Sequence, residues 1–163
     1  MSAIEETLSY RSVRTDEAAD LAAFVLKVFT EFVAPLFARE GIAEFKKFIA
    51  PDLMAERRAA GNVIWVAARG SKTVGLIEMR ENRHIALLFV DAACQRQGIA
   101  GELIRRAVAE CRERDPGLDT ITVNASPNAV AAYRKLGFQP TGEEQTVNGI
   151  RFTPLGLTLD GGN

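Results

Sequence analysis

Histidine occurs once and cysteine twice in the 163 residues, which argues against a metal centre and against a disulfide-stapled scaffold. No apolar run approaches the length of a membrane span, and Met1 to Thr7 lacks the basic and apolar regions of a signal peptide. The cytoplasm is the expected location, with no membrane partner. Charge of one sign is not in excess either: 20 Lys and Arg against 21 Asp and Glu leave a net charge of −1. Nothing in that balance favours nucleic acid or an anionic surface. Internal repeats, low-complexity tracts and linkers are missing, so residues 1–163 are expected to form one domain around one sizeable core.

The most informative stretch that is present runs from His84 to Ile104. His84 to Val90 is apolar almost without alternation, as in a strand covered on both faces. After Gly98 the residues Ile99, Leu103, Ile104, Ala107, Val108 and Cys111 recur at helical spacing, with Glu102, Arg105, Arg106, Glu110 and Glu113 opposite. Cys111 thus belongs to a core face, and Cys94 reads as an unreactive small residue just before the turn.

The turn itself, Gln95-Arg-Gln-Gly-Ile-Ala-Gly101, exposes N–H groups at a helix start. Such a terminus suits phosphate, because unpaired donors and the positive end of the helix dipole coincide there. An ordinary strand-to-helix turn accounts for the same residues. The P-loop pattern is absent, since no Lys-Ser/Thr follows Gly98 or Gly101, and the dinucleotide glycine spacing is absent too.

Upstream, Leu8 to Arg14 reads as a strand, with Thr15 or Asp16 as helix cap. Leu21, Phe24, Val25, Val28, Phe29 and Phe32 then share a helical face until Pro35. A second helix carries Ile42, Phe45, Phe48 and Ile49, and a third spans Asp52 to Ala60, closed by Gly61. Six of the nine phenylalanines lie between Phe24 and Phe48. That clustering suggests an apolar substrate pocket, but a core face covering a sheet explains it better.

Val63 to Ala68 and Thr73 to Arg80 read as strands that make an antiparallel set with His84 to Val90. Thr120 to Asn124 is a further strand, and Ala129 to Leu136 a helix ended by Gly137. Glu143 to Val147 and Ile150 to Leu159 flank Asn148-Gly149, a strong hairpin signal, and Pro154 suggests a bulge or an edge. Asp160 to Asn163 reads as a loose tail.

Taken in order, Leu88-Phe-Val90, Gln95-Arg-Gln-Gly-Ile-Ala100, Asn124-Ala-Ser-Pro-Asn128 and Tyr133-Arg-Lys-Leu-Gly-Phe138 resemble the GNAT superfamily of acetyl-CoA-dependent N-acetyltransferases. Gln95, Gly98 and Ala100 match its pyrophosphate-loop pattern, with Ala100 where many members have Gly. Tyr133, Gly137 and Phe138 match its Tyr-x-x-x-Gly-Phe ending. The likeness covers about Thr73 to Phe152 and is generic before that.

The resemblance implies an α/β (α+β) fold with a mixed, mostly antiparallel sheet flanked by helices and splayed beside the strand His84 to Val90. It implies that the backbone of Leu88, Phe89 and Val90 pairs with pantetheine. Gln95 belongs to the same binding loop, the amides of Arg96, Gln97, Gly98, Ile99, Ala100 and Gly101 hold the pyrophosphate, and Asn128 bonds the cofactor arm. Arg134 and Lys135 are candidates for the outer phosphate. Asn124 and Asn128 are equally readable as turn or cap residues.

By the same likeness, acetyl-CoA is the co-substrate, no metal takes part, and an amine on a small molecule or a peptide accepts the acetyl group directly. A backbone N–H near Phe89 or Val90 stabilises the oxyanion, and Tyr133 acts as general acid toward the departing thiolate. An alkylamine is mostly protonated at neutral pH, so a proton acceptor is needed. Glu78 on the neighbouring strand, the single His84, water or backbone carbonyls are the candidates. A non-catalytic module that binds acyl-CoA as a sensor or scaffold is the alternative. Dimerisation is common in the family, and the C-terminal hairpin offers an interface.

Overall fold

The computed structural model describes residues 7–160. The readings of Met1 to Glu6 and of the tail Gly161 to Asn163 lie outside those residues. Strand β1 (Leu8–Ser12) is followed by helices α1 (Ala18–Phe32), α2 (Arg39–Phe48) and α3 (Pro51–Ala59), then strands β2 (Val63–Arg69), β3 (Lys72–Arg80) and β4 (His84–Val90). Helix α4 (Ile99–Arg114), strand β5 (Thr120–Ala125), helix α5 (Val130–Lys135) and strands β6 (Gln139–Pro140), β7 (Gln145–Val147) and β8 (Ile150–Thr158) complete the chain. Short 3-10 turns at Ala34–Leu36 and Ala92–Cys94 precede α2 and α4.

The strands form one mixed, mostly antiparallel sheet in the order β1-β2-β3-β4-β5-β8-β6, with β7 pairing β8. Alternation along the strands sends two sets of side chains to opposite faces. Val63, Ala67, Ile77 and Met79 pack with Leu103, Ala107 and Cys111 of α4, and with Ile121 and Val123 of β5. Ile64, Val66, Leu76 and Leu87 pack with Leu21, Val25, Ile49 and Met54 from the N-terminal helices. The sheet is thus a middle layer, with α4 on one side and α1 to α3 on the other.

Helix α1 is not capped by Thr15 or Asp16; its N-cap residue is Glu17. The Glu17 carboxylate accepts the Arg14 N–H at 2.7 Å and Arg11 Nη1 at 2.6 Å, so a residue anchored to β1 sets the helix entry. Asn148 and Gly149 both take positive φ, 53° and 79°, as a tight hairpin turn requires. That turn docks on the start of α2, where the Ala38 N–H donates to the Gly149 carbonyl at 3.1 Å. Gly41 lies against the same peptide so closely that a Cβ there would overlap the Gly149 carbonyl.

Pro154 lies in an interior strand, opposite Asn124 of β5. Its carbonyl accepts the Thr141 N–H at 2.8 Å, so its missing N–H points to the side where β7 pairing has stopped at Phe152 and β6 pairing starts at Leu155. The proline is tolerated because it stands at the end of the β6 ladder, where only its carbonyl is paired.

Candidate active site

Strands β4 and β5 run parallel but pair only at His84↔Thr122 and Ile85↔Val123. Beyond that point they part. The cause is local: Glu78↔Leu87 and Met79↔Ile85 are paired across β3 and β4, which leaves Ala86 as an extra residue. A bulge of this kind bends its strand and ends a ladder. It also shifts the alternation, placing Leu87 and Phe89 toward α1 and Leu88 and Val90 toward α4. The resulting cleft has a volume of about 670 Å³ and is lined along one lip by Ala86, Leu88, Phe89 and Val90, and along the other by Val123, Asn124 and Ala125.

At the wide end of the cleft the chain turns from β4 into α4. Asp91 pins the turn: its N–H donates to the Val74 carbonyl at 2.9 Å and its carboxylate accepts the Ala93 N–H at 3.1 Å. Lys27 and Lys72 stand 4.0 and 3.7 Å from that carboxylate. Arg96 and Gly98 have φ of 65° and 80°, and Gly98 is the N-cap of α4, with no side-chain hydrogen bond closing the helix start. The leading N–H groups of α4, on Ile99, Ala100 and Gly101, therefore carry no capping side chain. A Cβ at Gly98 would meet nothing within 4 Å, so the space over the helix start is open. Glu102 in the first turn is held by Arg105 and Arg106, which lower its carboxyl to about 2.

Gln95, Arg96, Gly98, Ile99, Ala100 and Gly101 line this end, joined by Lys135. Gln97 does not; its side-chain carbonyl accepts Arg69 Nη2 at 2.7 Å. The Val90 carbonyl is met by the Gln95 side-chain amide at 3.3 Å. Asn128 lines the cleft opposite β4, with Ser126 Oγ donating to its Oδ1 at 2.7 Å. It does not cap α5, whose N-cap is Ala129, so its side-chain oxygen is not spent on the N–H groups of that helix start.

Tyr133 projects from α5 into the same cleft. Its ring is 7% exposed and packs edge-on against Phe138 at 5.2 Å. Burial pushes its phenol well above the ordinary tyrosine value. Cys94 also lines the cleft.

The two side chains considered as proton acceptors lie elsewhere. Glu78 is 0% exposed, accepting Arg57 Nε at 2.7 Å, Arg57 Nη2 at 3.2 Å and Asn62 Nδ2 at 2.8 Å. It is not among the cleft-lining residues, and its oxygens are occupied by a guanidinium and an amide. Arg57 in turn donates to the Phe48 carbonyl at 2.6 Å and stacks over the Phe48 ring, so Glu78 ties α2 and α3 to the sheet. His84 sits at the closed end of the wedge, its Nδ1 2.8 Å from Thr122 Oγ1. Burial, with Arg80 nearby, lowers its imidazole to about 4. Neither residue reaches the open cleft.

Residues 33–159 match the model of the acetyltransferase (GNAT) domain. The chain belongs to the GNAT acetyltransferase family. N-acetyltransferase 8 of Homo sapiens is 35% identical to this GNAT chain over 107 residues, 58% of the chain and 45% of the human protein. The chain thus spans less than half of that relative's length. A GCN5-related N-acetyltransferase from Rhodopseudomonas palustris has the same fold, at TM-score 0.76 and 22% identity over 98% of this chain and all of that one. So does the PaiA N-acetyltransferase of Thermoplasma acidophilum, solved with coenzyme A, at TM-score 0.75 and 14% identity over 94% and 99% of the two chains.

Several cleft residues of this GNAT domain were not legible in its sequence. The bulge at Ala86 leaves no mark in an unbroken apolar run. Val28, Phe32 and Val33 line the cleft from the end of α1, yet Val28 and Phe32 share the helical spacing of the core face. Among the described residues, no helix is long and apolar enough to cross a membrane.

Proposed function

We propose that this chain transfers the acetyl group of acetyl-CoA directly to a primary amine. One observation carries the reading: a single cleft joins an unpaired strand edge, Ala86 to Val90, to an uncapped helix start and to Tyr133. Pantetheine pairs with the strand edge as a partial strand, and the pyrophosphate sits on the N–H groups at the start of α4. Arg96 and Lys135 supply positive charge to the same end. The Thermoplasma acidophilum protein of the same fold binds coenzyme A, which supports a coenzyme A thioester as donor here.

In the reaction the amine lone pair attacks the thioester carbonyl, and a backbone N–H near Phe89 or Val90 faces the growing oxyanion. The C–S bond then breaks, and Tyr133 gives its proton to the departing thiolate. Burial penalises a thiolate as it does a phenolate, so donor and acceptor shift in the same direction. The proton lost by the amine leaves to water through the open cleft and returns to Tyr133 by the same route. Glu78 supports the sheet and takes no proton in this scheme.

Calorimetric titration with acetyl-CoA, followed by free-thiol release on adding amines, tests the reading. Binding and amine-dependent release are expected, with Tyr133→Phe slowing turnover about 100-fold while cofactor affinity holds. Binding without release from any polyamine, aminoglycoside, amino acid or peptide would instead identify an acyl-CoA-binding module.

A further inference from the structure

Val28 and Phe32 of α1 and its C-cap residue Val33 line the cleft together with Phe89 of β4. Phe89 is backed by a row of rings: Phe45 at 5.9 Å, Phe29 stacked on Phe45 at 4.0 Å, and Phe37 against Phe29 at 5.7 Å. This wall is apolar and firmly supported. Among the described residues that line the cleft there is no Asp, Glu or His, and the ionic side chains are the cations Arg96 and Lys135. Of the acids on the adjoining elements, Glu78 is engaged by Arg57 and Asp91 by Lys27 and Lys72, while Glu31 of α1 is exposed and does not line the cleft.

The backbone adds a restriction on shape. From Val33 the chain passes through the turn Ala34–Leu36 to Ala38, whose N–H holds the Gly149 carbonyl at 3.1 Å. On the other lip Ala125 pairs with Thr153 of β8, which leads back to Gly149. Val33 and Ala125 both line the cleft, so the contact between α2 and the hairpin ties the α1 side of the cleft to its β5 lip. Ala38 and Gly149 stand outside the lining, and the tie holds these two sides at a fixed spacing.

We propose that the acceptor is a small monoamine carried on an apolar, ring-sized body, which packs on Phe32, Val33 and Phe89 with its nitrogen toward the thioester. The inference rests on the acetyl-transfer reading and narrows it. Apolar walls favour the neutral amine over the ammonium ion, and only the neutral form has the lone pair that attacks. A polyamine needs carboxylates to replace its water, and the cleft lining offers none.

The test compares 2-phenylethylamine, spermidine and a tetrapeptide with a free N-terminus as acceptors, at saturating acetyl-CoA, by thiol release. 2-Phenylethylamine is expected to have a kcat/KM at least about tenfold above the other two. Phe32→Ala should raise its KM about tenfold, Phe32→Leu should restore most of the loss, and acetyl-CoA affinity by calorimetry should stay unchanged in both. Phe32→Glu should shift preference toward spermidine. If spermidine or the tetrapeptide is the better substrate of the unaltered protein, the acceptor class is wrong while acetyl transfer stands. If acetyl-CoA binds and no amine releases thiol, or if it does not bind, the acetyl-transfer reading fails and the acceptor proposal with it.

Discussion

Replacing Glu78 by Gln separates a structural role from a chemical one. The substitution keeps the side-chain volume but removes the charge that meets the Arg57 guanidinium at 2.7 and 3.2 Å and the Asn62 amide at 2.8 Å. Hydrogen bonds to a charged group contribute about 1.5–3 kcal/mol each, and a glutamine turned either way sets one N–H group against another donor. Arg57 keeps a side-chain exposure of 20%, so water recovers part of its solvation. The expected net loss is about 2–4 kcal/mol. For a domain of this size each kcal/mol lowers Tm by about 2–4 °C, so a fall of roughly 5–15 °C follows. Guanidinium denaturation followed by circular dichroism measures the loss, and thiol release at a temperature where both proteins are folded measures turnover. Joint replacement by Arg57→Leu and Glu78→Leu should recover only part of the stability, since an apolar pair often matches a buried ion pair but leaves the Phe48 carbonyl and the Asn62 amide without their partners. An unchanged unfolding midpoint together with a collapse of turnover would refute the reasoning and make Glu78 the proton acceptor.

His84 gives a pH signature. Its imidazole is held at about 4 against an ordinary 6.5, so the unfolded chain binds a proton that the folded one refuses. Stability is full above about pH 7 and falls as pH drops from 6.5 toward 4, by roughly 2–3 kcal/mol in all, a slope that His84→Gln should remove from urea midpoints. Gly149→Ala should destabilise by about 2–3 kcal/mol through its positive φ and through crowding, because the new Cβ would stand 2.5 Å from Glu40 Cγ and 2.6 Å from the Gly41 nitrogen. Faster amide exchange at Ala38 would accompany it, and a loss below about 0.5 kcal/mol would show that the hairpin is not docked on α2. At Gly98 a Cβ meets no protein atom within 4 Å, so Gly98→Ala is expected to cost about 1–2 kcal/mol of left-handed strain in folding while acetyl-CoA affinity falls at least about tenfold; unaltered affinity in a calorimetric titration contradicts the pyrophosphate assignment.

Strands and helices were legible wherever a period was present. The face of α4, the hairpin at Asn148-Gly149 and the end of α5 at Gly137 lie where the residues indicated. The gap between β4 and β5 was implied only by family resemblance, because its direct cause is a register irregularity at Ala86, and an apolar run with no alternation has no register to read. The same limit applied to the phenylalanines. Phe29 and Phe45 stack behind the wall while Phe32 faces the cleft, a division that depends on where α1 ends relative to β4. Glu78 illustrates the opposite difficulty. A carboxylate on a strand beside the central one looks available until the long-range partner Arg57, from α3, is placed on it.

The pairing of β4 with β5 through only two residue pairs also bears on mechanics. The sheet is close to being two sheets, β1 to β4 and β5 with β6 to β8, joined by a short seam, by the clasp of Ala38 on Gly149 and by the core both share with α4. A ligand that fills the seam acts as a removable stitch. Its binding should slow hydrogen exchange on the facing edges of β4 and β5 more than in either half alone, and its departure leaves the two halves free to breathe against each other.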